Sequence, residues 1–199
     1  MARELARLDI DVAALSEVRF AKQGSLREAG TGYTLLWSGK NRDERRLSAV
    51  GFMIKTFIAR KLQDSPVGHS DRIMSLRLPI QDNKFATVLS VYAPTLQAET
   101  GVKEAFYRDL HNLPHQVDSK HKLPILGDFN ARVGRDFELW KGVLGRHGIG
   151  NCNDNGRLLL EFCSEYQLVI TKPCSCRRMG SRQYGDTHAP YTGTSWSTF

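Results

Sequence analysis

Leu123-Pro124-Ile125-Leu126-Gly127-Asp128-Phe129-Asn130 is a short apolar run that stops at a carboxylate and an amide, and it decides the architecture of the chain. The run is too short for a helix and is ended by Gly127, so it reads as a buried strand. In α/β proteins the ends of such strands are where side chains leave a rigid sheet and enter a cleft. Asp128 and Asn130 stand two residues apart, and strand alternation puts both on one side. The same pair can equally close an Asx turn, in which the side-chain oxygens satisfy local backbone amides. On this stretch alone both readings stand.

Upstream, Ala2 to Leu8 reads as the end of a helix with Leu5 and Leu8 on one face. Asp9 to Leu15 reads as a strand that delivers a second carboxylate, Glu17, just past its end. A helix already under way at Met1 suggests a chain that begins inside a domain. Strands are expected at Tyr33 to Gly39 and Ala49 to Lys55, separated by a solvated loop of mixed charge, Lys40 to Arg46. Asp71 to Leu78 and Phe85 to Tyr92 form a further pair, with Gln81-Asp82-Asn83-Lys84 as the turn. The second of these is apolar or small on both faces, as a strand in the middle of a sandwich should be. It brings a phenol, Tyr92, to a strand end, and Pro94 stops the ladder.

From Val102 to Val117 the residues Phe106, Leu110, Leu113 and Val117 recur at helical spacing, and Pro114 breaks the helix near its end. Beyond Asp128 lies a Gly-rich loop. Asn153-Asp154-Asn155-Gly156 then leads into a helix with Leu158, Leu159, Phe162 and Tyr166 on one face, and Asp154 or Asn155 suffices as its cap. Leu168-Val169-Ile170 reads as a short strand. After Thr171 the texture changes to Arg, Ser, Thr and Gly, so residues 172–199 are expected to be a divergent basic tail without regular structure.

The 199 residues suit one domain with a proper core, or most of a larger one. No apolar run is long enough to cross a bilayer and no signal-peptide core follows Met1, which points to an intracellular protein, nuclear or cytoplasmic. Net charge is +7. Such a balance suits a polyanion, and without a basic amphipathic helix it favours nucleic acid over a membrane. Cys174-Ser175-Cys176 lacks a second pair at zinc-finger spacing, and Cys163 is most simply a small core residue. Glu17, Asp128, Asn130 and Tyr92 all arrive at strand ends. Hard oxygen ligands of this kind suit Mg²⁺ or Mn²⁺, which neutralises charge on a phosphoryl group while a carboxylate activates water.

Ala14-Leu15-Ser16-Glu17, Ser90-Val91-Tyr92-Ala93-Pro94, Gly127-Asp128-Phe129-Asn130 and Asn155-Gly156-Arg157 together resemble, in order and context, the endonuclease/exonuclease/phosphatase superfamily. The likeness is strongest to the apurinic-type endonuclease domains of LINE retrotransposons and to the craniofacial development protein 2-like proteins, and it covers Ala2 to about Thr171. It implies an α/β fold, a two-sheet β-sandwich flanked by helices (DNase I-like, four layers), incomplete here, with residues 1–171 as the partial domain. It implies that Glu17 binds the metal, Asp128 orients or activates water, and Asn130 and Tyr92 contact the scissile phosphate of DNA. Arg72 and Asn155 match the family pattern and, with Thr194, are expected to bind substrate, with a structural or backbone role also implied for Arg72. Thr194, in Thr194-Ser195-Trp196, corresponds to an element before a missing Asp.

Three family features have no counterpart: an opening strand ending in a metal-site Asn, a downstream Asp strand, and a closing Asp-His motif. Asp186-Thr187-His188 has the wrong context to replace the last, and the other histidines match no family position. Two functions are therefore expected. One is a metal-dependent DNA endonuclease, weak or inactive as this fragment; the other is a catalytically dead remnant serving as a basic nucleic-acid-binding module.

Overall fold

The structure is a computed structural model that describes residues 1–18, 20–39, 49–80, 84–146 and 148–171. The basic tail, with Cys174, Cys176, His188 and Thr194, lies outside the described residues. So do His147, the loop 40–48 and most of the turn at 81–83.

Strands β1 (Val12–Ser16), β2 (Gln23–Arg27), β3 (Tyr33–Gly39) and β4 (Ala49–Lys55) make one antiparallel sheet in the order β1-β4-β3-β2. The other sheet orders β5 (Val67–Gly68), β6 (Ile73–Pro79), β7 (Phe85–Tyr92) and β8 (Ile125–Asp128) in sequence. Its first three strands are antiparallel neighbours, and β8 runs parallel to β7. That parallel pairing needs a crossover, and helix α3 (Thr100–His111) supplies it.

Strand alternation explains why these segments read as nearly continuous apolar runs. Val12 and Ala14 of β1 and Val50, Phe52 and Ile54 of β4 face Met74, Leu76, Leu78, Ala86, Val88 and Leu126 of the second sheet. The opposite phase is buried too. Ala13, Leu15, Leu35 and Met53 pack under α1 (Ala2–Arg7) through Ala2 and Leu5. Ile73, Leu89 and Val91 pack under α3 and α4 (Asp154–Glu165) through Phe106, Leu110, Leu160 and Phe162. The result is two packed sheets with helices on both outer faces. Each fully buried aliphatic or aromatic side chain there contributes roughly 1.5–3 kcal/mol of transfer free energy.

Several expectations need correction. Leu8 is not on the buried face of α1; it is 45% exposed, and Ala2, one turn before Leu5, takes its place. The helix expected from Val102 begins at Thr100 and ends at His111, and Pro114 opens a separate short 3₁₀ turn, Pro114–Gln116. The central strand is shorter than its apolar run and passes through Gly127 instead of ending at it. Gly127 has φ +140°, and a Cβ there would sit 1.9 Å from the Val91 carbonyl oxygen, so only glycine allows β8 to close on β7. Leu168-Val169-Ile170 contributes one bridge, Ile170 to Leu144, and not a strand. Strands β2 and β5 and the short α2 (Thr56–Ala59) were not expected; Gly68, a loop signal in the sequence, lies in β5. Cys163 is buried in the helical layer, as a small core residue should be. Among the described residues no helix is long and apolar enough to cross a membrane.

Candidate functional site

The two sheets are stitched together on the inner face of β7. Ser90 is fully buried, in phase with Ala86 and Val88, and its hydroxyl donates to the Gly51 carbonyl at 3.0 Å and lies 3.5 Å from that of Leu15. Two residues further along the same face, Tyr92 emerges where the inter-sheet layer ends. Its hydroxyl donates to Glu17 Oε1 at 2.8 Å, a contact between residues 75 apart in sequence. Glu17 directly follows β1 with φ +56°. A glutamate in the left-handed region is uncommon and costs on the order of 1–3 kcal/mol, a strain that collects at functional positions.

Arg72, just before β6, holds Tyr92 from the other side. Its guanidinium donates to the Tyr92 carbonyl at 3.2 Å and lies 5.5 Å from the centre of the phenol ring. Asp128 stands opposite Tyr92 in the β7–β8 register. Its carboxylate is exposed, and Oδ1 accepts the Asn130 backbone amide at 2.8 Å. The Asx turn is therefore real, and it coexists with a carboxylate presented to solvent. Asn130 sits at φ +48°, a conformation Asn tolerates, and its side-chain amide donates to the Ala93 carbonyl at 2.9 Å.

Behind this surface Asn155 is only 3% exposed. Its amide donates to the carbonyls of Pro94 at 3.0 Å and Asn130 at 3.1 Å, tying the loop after β7 to the loop after β8. Its side-chain oxygen is buried with no hydrogen-bond partner. The cap of α4 is neither Asp154 nor Asn155 but Asn153, whose Oδ1 accepts the amides of Gly156 at 2.8 Å and Arg132 at 3.0 Å. Asn153 has extended backbone angles, as a cap requires, whereas its two successors are already helical. The Asn-x-x-Gly spacing carried this signal, but three adjacent cap-competent residues obscured it.

The electrostatics bind the cluster together. The Tyr92 phenol is raised above its ordinary value of 10.0, first by its hydrogen bond to Glu17, then by burial and the charges of Glu17 and Asp128, with Arg72 opposing. Both carboxylates thus act on one hydroxyl. Two carboxylates, a phenol and an amide are hard donors that fit Mg²⁺ or Mn²⁺ chemically. Among the described residues no group of three or more His, Cys, Asp and Glu side chains could hold a metal ion by itself. A small hard cation that keeps its waters and shares a phosphate needs only one or two carboxylates.

The described histidines make their contacts elsewhere. His69 meets Ser75 Oγ at 2.8 Å, His111 and His115 meet the Tyr166 hydroxyl at 3.2 and 3.1 Å, and His121 packs against the Phe85 ring. Thr194 lies outside the described residues.

No family model matches the chain. The chain is 34% identical over 173 residues to craniofacial development protein 2 of Bos taurus, covering 85% of this chain and 27% of that protein. It is 33% identical over 172 residues to craniofacial development protein 2 of Tragulus javanicus, covering 84% and 28% respectively. It is therefore a distant homologue of craniofacial development protein 2 and spans little more than a quarter of the length of these relatives.

Proposed function

We propose that this chain carries the metal-and-phosphate face of a DNA phosphodiesterase of the endonuclease/exonuclease/phosphatase superfamily, built on that superfamily's four-layer sandwich. The observation that carries the proposal is Tyr92: one phenol, at the mouth of the inter-sheet layer, that hydrogen-bonds Glu17 and feels the charge of Asp128. A net charge of +7 supports a polyanionic substrate.

Glu17 would hold Mg²⁺ or Mn²⁺, which when bound neutralises charge on the phosphoryl oxygens. Asp128 orients a water and takes its proton as the water oxygen bonds to phosphorus and the phosphorus–oxygen bond to the leaving sugar breaks. The Asn130 amide has one N–H beyond the bond to Ala93 and donates it to a non-bridging oxygen, while the single Tyr92 proton, held by Glu17 here, would pass to a second such oxygen once Glu17 turns to the cation. Arg72 and Asn155 position these groups through Tyr92 and the two loops. The leaving oxygen draws its proton from solvent, because the described histidines are engaged elsewhere, so turnover is slow.

Plasmid nicking in Mg²⁺ tests the proposal. Slow nicking is expected, abolished by EDTA and by Glu17→Ala or Asp128→Ala. Nicking that survives those changes overturns the residue assignment. The engagement of the described histidines elsewhere favours one second reading, a remnant that binds DNA without cutting it; absent nicking with salt-sensitive DNA binding would select that reading.

A further inference from the structure

Directly after Glu17 the chain presents an aromatic pair that the phosphodiesterase chemistry leaves unused. Phe20 is 44% exposed, and its ring centre lies 4.8 Å from that of Trp37 with the planes inclined by 38°. Phe20 is exposed and Trp37 partly buried, and together the two rings form an apolar surface feature of the kind that serves as a contact site.

The pair is anchored. Trp37, on β3, is half-buried and donates its indole N–H to the Ala21 carbonyl at 3.3 Å. Across the sheet it faces Gly24 of β2, and a Cβ on Gly24 would come within 2.4 Å of the indole carbons. The indole thus lies against bare backbone, where any other residue would lift it. Lys22 and Arg27, both exposed on the same hairpin, add positive charge.

Placement supplies the rest. Three Cα–Cα steps lead from Glu17 to Phe20, so their backbones are at most about 11 Å apart. An unstacked strand extends further per nucleotide than the about 3.4 Å rise of stacked DNA, so the backbone at Phe20 falls within a few nucleotides of a phosphate at Glu17. Backbone contacts are indifferent to whether a base is present, whereas an exposed ring offers any unstacked base a face.

We infer that Phe20, backed by Trp37 on Gly24, is a stacking platform for one unstacked DNA base beside the Glu17 site. The inference rests on the DNA-directed reading of that site. It assigns a strand-gripping role to residues that touch neither metal nor phosphate.

The test is binding without catalysis, in EDTA, using a fluorescent oligothymidylate and a matched oligomer of abasic sugar-phosphate. The protein should prefer the thymidylate by about fivefold or more. Phe20→Leu keeps an apolar side chain but removes the ring, and should erase that preference. Phe20→Tyr should retain it. A Phe20→Leu protein that still prefers bases overturns the inference, as does a wild-type protein that binds both oligomers equally. Failure to bind either oligomer would instead overturn the DNA reading on which the inference depends, while Mg²⁺-dependent nicking reports on that reading separately.

Discussion

Replacing Asn155 tests how the loops after β7 and β8 are held. Its buried amide makes two hydrogen bonds, to Pro94 and Asn130, at 3.0 and 3.1 Å. Asn155→Ala would leave both carbonyls short of a donor, at about 1–3 kcal/mol each if water does not enter. The same change also removes the unpaired side-chain oxygen, which offsets about 1–2 kcal/mol. The net loss should be ~2–3 kcal/mol. Asn155→Asp should be worse, because it sets a carboxylate oxygen against two carbonyl oxygens in place of the donor.

That second variant carries its own pH signature. The buried carboxyl favours its protonated form, so its folded value lies above the unfolded one near about 4. Its contribution is then fully present below that unfolded value and is lost as pH rises through the folded one. Asp should therefore fall below Ala at neutral pH and approach it on acidification. Urea unfolding midpoints of the three proteins at both pH values, with unchanged slopes, measure this. Asn155→Ala within about 0.5 kcal/mol of wild type, or Asp equal to Ala at neutral pH, would refute the amide orientation and the tie between the loops.

Two further outcomes follow from single atoms. Gly127→Ala should lower stability by at least about 3 kcal/mol, or prevent folding, because φ +140° and a carbonyl 1.9 Å from the new Cβ must both be relieved; circular dichroism and denaturation check it. Tyr92→Phe should cost only ~0.5–1 kcal/mol at neutral pH, since the bond to Glu17 is partly solvated. Tyr92's folded value lies above 10.0, so the wild-type contribution is complete below that pH and fades as the phenol ionises above it. The gap between the two proteins should therefore close in alkaline denaturation curves.

Local patterning in the sequence determined the elements whose burial is strongest. The apolar runs at β3, β4 and β7 and the helical spacing in α3 and α4 are visible because core-facing side chains repeat with the period of their own backbone. It also put Glu17, Tyr92 and Asp128 at strand ends. Strand β2 left no such trace, since four of its five residues are exposed and its existence depends on pairing with β3. The cap of α4 and the fate of Leu8 depended on which neighbour was already in contact with another element. Only tertiary packing decided that Glu17 and Tyr92 share a hydrogen bond, because that contact follows from the registration of one sheet on the other. Periodicity records which face of a segment is covered, but not by what, and the candidate site is made from exactly that missing information: which two strand ends meet.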